Sequence, residues 1–119
     1  ISYEYLGEFT KEQAEAAAQK IPAIKSLPMK YSLDLYKIYY TTPAPDGTKA
    51  MVSGLVVMPK SPAAPVAMLS YAHGTRVNRE DVPSRNNERN QIYLTAFASS
   101  TGYMLVMPDY LGYGESSVK

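Results

Sequence analysis

Two short apolar runs, each followed by a glycine-containing loop, decide the fold. The first run with its loop is residues 66–75, VAMLSYAHGT, and the second is residues 103–116, YMLVMPDYLGYGES. One helix-length stretch separates them, so this part of the chain is predicted to fold as strand, loop, helix, strand, loop. Open α/β sheets place their chemistry in loops that follow the carboxyl ends of strands. The two loops are therefore the predicted location of a functional site.

The elements around these runs can be predicted from periodicity and turn residues. Residues 86–101 are predicted to form the intervening helix, with Gly102 after its end. Both apolar runs lack alternation, which is typical of strands that are covered on both faces. A strand, a helix and a strand in this order form a parallel crossover. Residues 30–42 alternate with a period of two, and a Pro- and Gly-containing turn would join them to a partner strand at 49–58 as an antiparallel hairpin.

The beginning of the chain shows a different pattern. Thr10 and Gln13 fit a capping box, which satisfies two backbone amides at the start of a helix. The alanine-rich stretch that follows favours a helix, and Pro22 ends it. This helix lacks a strong apolar stripe, so it is predicted to lie on the surface. Residues 1–29 are thus predicted to be an N-terminal helical extension, and residues 30–119 to be the main α/β unit.

Composition excludes several classes of protein. The chain has 119 residues, 45% of them hydrophobic, and a net charge of +1. These values are those of a globular domain, and without a basic stripe we expect no nucleic-acid partner. No apolar run approaches the roughly 18 residues that span a bilayer, so no transmembrane segment is expected. The absence of cysteine excludes disulfides, Cys-ligated zinc and a thiol nucleophile.

The two loops together resemble the amino-terminal half of an α/β-hydrolase. The resemblance is to the secretory-lipase and esterase branch, in which one strand ends in His-Gly-Thr and the next in Pro-Asp-Tyr-Leu-Gly-x-Gly-x-Ser. Residues 73–75 and 108–116 match these motifs. The resemblance implies an α/β-hydrolase-type sheet with an N-terminal antiparallel hairpin followed by a parallel βαβ crossover, incomplete without a C-terminal segment. It covers residues 30–119 well and the first thirty poorly.

The resemblance implies a serine carboxylic-ester hydrolase, a lipase or esterase, that acts through an acyl-enzyme and needs no cofactor. An attacked carbonyl develops negative charge on its oxygen, and preorganised N–H groups stabilise that charge. In this fold one such donor comes from the loop after the third strand. We expect Thr75 N–H to be that donor, with the Thr75 hydroxyl as a candidate second donor and Gly74 permitting close approach of the backbone. His73 is expected to shape the loop and, with Tyr110, to line the substrate site.

Asp109, Gly112 and Gly114 are expected to be structural. The aspartate would accept hydrogen bonds from backbone amides of the glycine-rich turn that follows it. Triad residues on this fold follow the order nucleophile, acid, histidine, so neither Asp109 nor His73 is expected to belong to a triad. One histidine without cysteine is a poor zinc site, and no metal is expected. The arginine-rich stretch 76–89 is predicted to be solvated surface.

A nucleophile is the element that the sequence lacks. No Gly-x-Ser-x-Gly elbow occurs in it. The sequence therefore predicts a partner, which is the C-terminal segment of the same hydrolase. This segment would carry the serine, the aspartate or glutamate, and the histidine. The substrate would be a small-molecule or lipid ester, and the location secreted or periplasmic.

Two alternatives stay open. One is a non-catalytic, hydrolase-like binding or scaffold protein, and the other is a peptidase of the same fold. Residues 1–119 by themselves are expected to leave the flank of the last parallel strand unpaired, as an exposed edge.

Overall fold

A computed structural model describes residues 1–62, 65–85 and 88–118, with the backbone alone for residues 88–90. The elements in chain order are β1 (Ser2–Phe9), α1 (Lys11–Gln19), β2 (Leu33–Pro43), β3 (Lys49–Pro59), β4 (Met68–Ser70), a short 3-10 helix (Pro83–Arg85), α2 (Glu88–Thr101) and β5 (Met104–Pro108). Neither α-helix in these ranges has the length and apolar character needed to cross a membrane.

The five strands form one mixed sheet in the order β1-β2-β3-β5-β4. β1, β2, β3 and β5 pair antiparallel in turn, and β4 pairs parallel to β5. The predicted hairpin and the predicted parallel crossover are both confirmed. The predicted helix end is also confirmed, since Gly102 has a φ of 80° and its N–H donates to Ala98 O at 2.8 Å. The first two residues of the predicted helix, 86 and 87, lie outside the described residues.

The prediction for the first 29 residues is incomplete because it missed β1. Residues 2–9 are a strand that pairs with β2, from Ser2 opposite Tyr39 to Phe9 opposite Leu33. The register shifts between Tyr5 and Gly7, where Gly7 has a φ of 127°. The hydrogen-bond partner of β1 lies about thirty residues later, and no local pattern announces it. The division at residue 30 stays a prediction.

Helix α1 begins as predicted but is not simply a surface helix. Gln13 N–H donates to Thr10 Oγ1 at 3.1 Å and Thr10 N–H donates to Gln13 Oε1 at 2.8 Å, which completes the capping box. Ala14 and Ala18 are buried and pack in one cluster with Ala96 of α2. Alanines four apart form a narrow face that lets two helices approach closely. The surface prediction is therefore wrong for this face.

The main core lies on one face of the sheet. Its buried members are Leu33, Leu35, Leu55, Val57, Ala98, Leu105 and Met107. Helix α2 contributes Ala98 to this cluster, and α1 packs against α2. The opposite face is less covered by the described residues, since Val56 and Val106 are only half-buried there.

The prediction that both apolar runs are covered on both faces is wrong. In β5, Leu105 and Met107 are buried while the alternate residues are half-buried. All three residues of β4 are exposed, Met68 by 62%. The physical reason is the sheet order, which places β4 at an edge. On the parallel side of the sheet the edge strand is therefore β4 and not β5, which lies between β3 and β4.

Candidate active site

Two loops meet at one end of the parallel strands. We call residues 71–82, which follow β4, the histidine loop, and residues 109–118, which follow β5, the glycine loop. Because β4 and β5 are neighbouring parallel strands, both loops begin at the carboxyl ends of these strands, on the same side of the sheet. The structure thus brings together most of the residues that the sequence singled out.

Two tyrosines of the glycine loop hold the histidine loop by its backbone. The Tyr110 hydroxyl donates to His73 O at 3.0 Å, and the Tyr113 hydroxyl donates to Arg76 O at 2.6 Å. These two carbonyls lie on either side of Gly74 and Thr75 in the chain. The segment that is predicted to bind an oxyanion is therefore fixed at both ends.

His73 connects the two loops through its buried ring, only 6% of the residue being exposed. The ring stacks on Tyr110 with centroids 4.2 Å apart and meets the edge of Tyr113 at 5.8 Å. Its Nδ1 lies 2.7 Å from Gly74 O, and its Nε2 lies 3.1 Å from Asp109 O. A neutral imidazole has one N–H and can donate to only one of these carbonyls. The structure thus places His73 as a packed connector, and its predicted contact with substrate stays a prediction.

Gly74 and Thr75 are exposed at the surface of this assembly. Within the part of the chain that the structure describes, the backbone N–H of Thr75 makes no hydrogen bond. A methyl group added at Gly74 would meet no atom within 4 Å. The small cavity next to the loop, lined by His73 and Arg76 among others, measures about 10 Å³, which is room for one water at most. Among the described residues, Thr75 is therefore an exposed residue with an unbonded amide, and the cavity next to the loop is too small for a substrate.

Asp109 is structural in a different way from the one expected. Its carboxylate is fully buried, and it accepts hydrogen bonds from Ser84 N–H at 3.0 Å and from the Ser53 hydroxyl at 2.6 Å. Ser53 Oγ in turn accepts from Glu115 N–H at 3.0 Å. The carboxylate therefore reaches the glycine-rich turn through Ser53 and not by a direct bond to the amides that follow it. Burial, with the Asp109 charge adding to it, raises the pKa of the Tyr40 hydroxyl.

The glycine loop contains three residues with left-handed backbone. Gly112 and Gly114 have φ values of 82° and 55°, and Tyr110 has a φ of 78°. A Cβ at Gly114 would lie 2.6 Å from Asp109 Oδ2 and 2.8 Å from Ser53 Oγ, so only glycine fits there. The left-handed conformation of a non-glycine residue costs roughly 1–2 kcal/mol. The ring stacking and the hydroxyl bond of Tyr110 offset that cost.

Charged side chains join the glycine loop to the rest of the fold. Glu115 lies 3.2 Å from Lys37 Nζ and 2.8 Å from Arg85 Nη2. The hydrogen bond from Lys37, ahead of the Arg85 charge, holds the pKa of Glu115 below its usual value. Arg79 donates to Gly114 O and Ser116 O, at 3.1 and 3.2 Å. The prediction that 76–89 is solvated surface is therefore wrong for Arg79, which the glycine loop half-buries.

The residue that sequence reasoning missed is Ser53. It is fully buried in β3 and lies next to Gly54, where a Cβ would come within 3.0 Å of Met107 O. A serine followed by glycine inside an otherwise apolar strand is a usable signal, because such a pair permits close approach of a neighbouring strand. The Ser-Gly pair indicates a position inside the protein where the serine hydroxyl is buried next to the backbone of the neighbouring strand.

Comparison with known proteins finds solved structures that contain the same fold. No protein-family model and no curated protein matches the sequence. A solved structure of a hydrolase candidate from Legionella pneumophila subsp. pneumophila is 53% identical, with a TM-score of 0.92 over 99% of this chain and 32% of that chain. The rice cell wall degrading esterase LipA from Xanthomonas oryzae is 22% identical, with a TM-score of 0.81 over 98% of this chain and 30% of that chain.

The chain has the fold of the amino-terminal part of an α/β-hydrolase-like esterase. A single-residue variant of LipA superposes equally well, at 23% identity and a TM-score of 0.82 over 99% of this chain and 30% of that chain. The predicted resemblance and the predicted fold class are confirmed. The chain spans about a third of the length of these solved relatives.

Proposed function

We propose that this chain is the oxyanion-loop part of a serine carboxylic-ester hydrolase, a lipase or esterase. The observation that carries the proposal is the Thr75 amide. It makes no hydrogen bond within the described residues, Thr75 itself is exposed, and the carbonyls of His73 and Arg76 on either side are held by tyrosine hydroxyls. A donor of this kind stabilises an oxyanion because it is oriented before the charge develops. The hydrolase and esterase neighbours support the same class of reaction.

The proposed reaction is acyl transfer from an alcohol to water. A serine oxygen attacks the ester carbonyl carbon and gives its proton to a histidine, and the carbonyl oxygen becomes negatively charged beside Thr75 N–H. Collapse of this intermediate expels the alcohol, which takes the proton from the histidine, and leaves the acyl group on the serine. Water then repeats the sequence and releases the carboxylic acid. Each oriented donor lowers the barrier of such a reaction by roughly 2.7–4 kcal/mol.

The serine, the acid and the histidine would come from a second segment of the same hydrolase. Two features support this part of the proposal. The edge of β4 is open, with Met68 62% exposed, and the cavity beside His73 holds about 10 Å³. A further strand beside β4 would cover the Met68 side chain. Further residues beside His73 would extend the walls of its cavity and enlarge the site. The substrate would be a small-molecule or lipid ester, and a secreted or periplasmic location stays a prediction.

The experiment is activity-based labelling of the full-length protein that carries this chain. A fluorophosphonate reports a reactive serine because the serine oxygen displaces fluoride at phosphorus. We expect one labelled serine outside residues 1–119 and hydrolysis of p-nitrophenyl butyrate that the label abolishes. A folded sample that shows no labelling and no hydrolysis would contradict the proposal and favour the binding or scaffold alternative. Cleavage of peptides without cleavage of esters would favour the peptidase.

A further inference from the structure

Ser53 of β3 bonds to the glycine loop on both sides of its turn. Its hydroxyl donates to Asp109 Oδ2 at 2.6 Å and accepts from Glu115 N–H at 3.0 Å, and its backbone oxygen accepts from Asp109 N–H at 3.0 Å. The residue is fully buried in β3. A buried hydroxyl is unfavourable unless it is hydrogen-bonded, and here the hydroxyl both donates and accepts. Ser53 therefore fixes the glycine loop to the sheet at positions 109 and 115.

The first of these positions is next to a contact with the histidine loop. Tyr110 follows Asp109 in the chain, and its hydroxyl donates to His73 O at 3.0 Å. The backbone oxygen of Asp109 itself lies 3.1 Å from Nε2 of the His73 ring. A shift of Asp109 would thus move two contacts of the residue that precedes Gly74.

The second position is close to another contact with the histidine loop. Tyr113 lies shortly before Glu115 in the chain, and its hydroxyl donates to Arg76 O at 2.6 Å. Gly114 packs directly against Ser53, since a Cβ there would be only 2.8 Å from Ser53 Oγ. Closely packed groups transmit a displacement because no free space absorbs it. A change at Ser53 is therefore expected to reach both tyrosine contacts.

We propose that Ser53 is a positioning residue for the Thr75 amide. Its hydroxyl fixes the segment 109–115, and the two tyrosine hydroxyls of that segment fix the backbone on either side of Thr75. The proposal rests on the proposed function, in which this amide binds the oxyanion. Without the Ser53 hydroxyl the amide is less well oriented, so the transition state loses stabilisation while substrate binding is kept.

Ser53→Ala in the full-length enzyme removes the hydroxyl without adding volume. With p-nitrophenyl butyrate we expect kcat to fall by at least about tenfold while KM stays within about twofold. Ser99→Ala is the matched control, because Ser99 is also fully buried and its hydroxyl donates to Tyr31 O at 2.6 Å, outside both loops. We expect this control to lose stability but to keep the kcat of the parent enzyme.

A second pair of variants separates the hydroxyl from the shape of the side chain. Threonine and valine have nearly the same shape, and both add bulk at this buried position, but only threonine keeps the hydroxyl. We expect the kcat of Ser53→Thr to be at least about fivefold higher than that of Ser53→Val. Equal kcat values for the two folded variants would overturn the proposal, because the hydroxyl would then have no part in catalysis.

Amide hydrogen exchange measures the coupling of the two loops without any substrate. We expect Ser53→Ala to accelerate exchange at least about threefold in residues 71–82 and in residues 109–118, and Ser99→Ala to leave both loops unchanged. Acceleration in residues 109–118 alone would overturn the proposal, as would a kcat of Ser53→Ala equal to that of the parent enzyme. A parent protein that does not hydrolyse esters would contradict the proposed function, whereas the exchange comparison still decides whether Ser53 orders the histidine loop.

Discussion

The Tyr110 hydroxyl donates to the backbone oxygen of His73 at 3.0 Å while its ring stacks on the imidazole of the same residue at 4.2 Å. One side chain of the glycine loop thus holds both the backbone and the side chain of the residue that opens the His-Gly-Thr segment. The loops after two neighbouring strands therefore behave as one unit. Changes in the glycine loop are expected to affect the Thr75 amide, the proposed oxyanion donor, although they do not touch it.

Tyr110→Phe separates the hydroxyl bond from the ring stacking. Removing the donor leaves His73 O with one partner fewer, and we expect the free energy of unfolding to fall by about 1 kcal/mol. In the full-length enzyme we expect kcat for a p-nitrophenyl ester to fall while KM changes little. The lost hydroxyl bonds to His73 O and positions the amide, whereas the ring that is expected to line the substrate site is kept. Tyr93→Phe, on an exposed tyrosine of α2, is the control. An unchanged kcat would show that the hydroxyl bond does not position the loop.

Asp109→Asn tests the buried carboxylate. Asparagine presents one oxygen and one NH₂ group where Asp109 accepts from both Ser84 N–H and Ser53 Oγ, so one donor loses its acceptor. We expect a loss of roughly 1.5–3 kcal/mol in urea denaturation, the usual range for hydrogen bonds to a charged group. Asp46→Asn is a matched control, since Asp46 also accepts two bonds, both from Thr48, but at an exposed turn. Equal losses in the two variants would contradict the importance of burial at Asp109.

Gly114→Ala tests the close packing of the glycine loop against Asp109. The new methyl would lie 2.6 Å from Asp109 Oδ2 on a backbone with a φ of 55°. Gly47→Ala is the control, because Gly47 has a φ of 84° but open space around a Cβ. Both variants pay for the left-handed backbone, roughly 1–2 kcal/mol, and only Gly114→Ala has the added clash. A thermal midpoint lowered equally by the two variants would rule out the steric explanation.

The lowered pKa of Glu115 predicts that the stability of the fold decreases at acidic pH. Its pKa is lowered in the folded protein, mainly by the hydrogen bond from Lys37, relative to the ordinary value of 4.5. A lowered pKa stabilises the fold above that ordinary value, and the contribution is lost as the pH falls through the folded-state pKa. We expect Glu115→Gln to lower the thermal midpoint near neutral pH and to flatten its decline below about pH 4.5. Glu15→Gln, at an exposed position of α1, should keep the decline of the parent protein.

Local patterns predicted the parts of the fold whose causes are local. The hairpin of β2 and β3 follows from alternation and a turn, and the crossover follows from two apolar runs one helix apart. β1 could not be predicted in this way, because its partner is β2 and its register contains a shift at Gly7. The exposure of β4 was also missed, since an apolar strand at an open edge has the same sequence as one inside a sheet.

The candidate site was predictable as two loops but not as a network. His73, Thr75 and Tyr110 could be singled out from motifs, yet the direction of the Asp109 carboxylate depends on Ser53, which is 56 residues away in the chain. The pair of Glu115 and Lys37 spans 78 residues. Side chains so distant in sequence meet only after the sheet has formed, so spacing carries no information about them.

The most direct measurement concerns the Thr75 amide itself. Thr75→Pro deletes its N–H, and Thr75→Ala removes the hydroxyl but keeps the N–H. In the folded full-length enzyme we expect Thr75→Pro to reduce kcat on a p-nitrophenyl ester by about 10²-fold or more, while Thr75→Ala stays much closer to the parent enzyme. Turnover by Thr75→Pro equal to that of the parent enzyme would contradict the assignment of this amide to the oxyanion site.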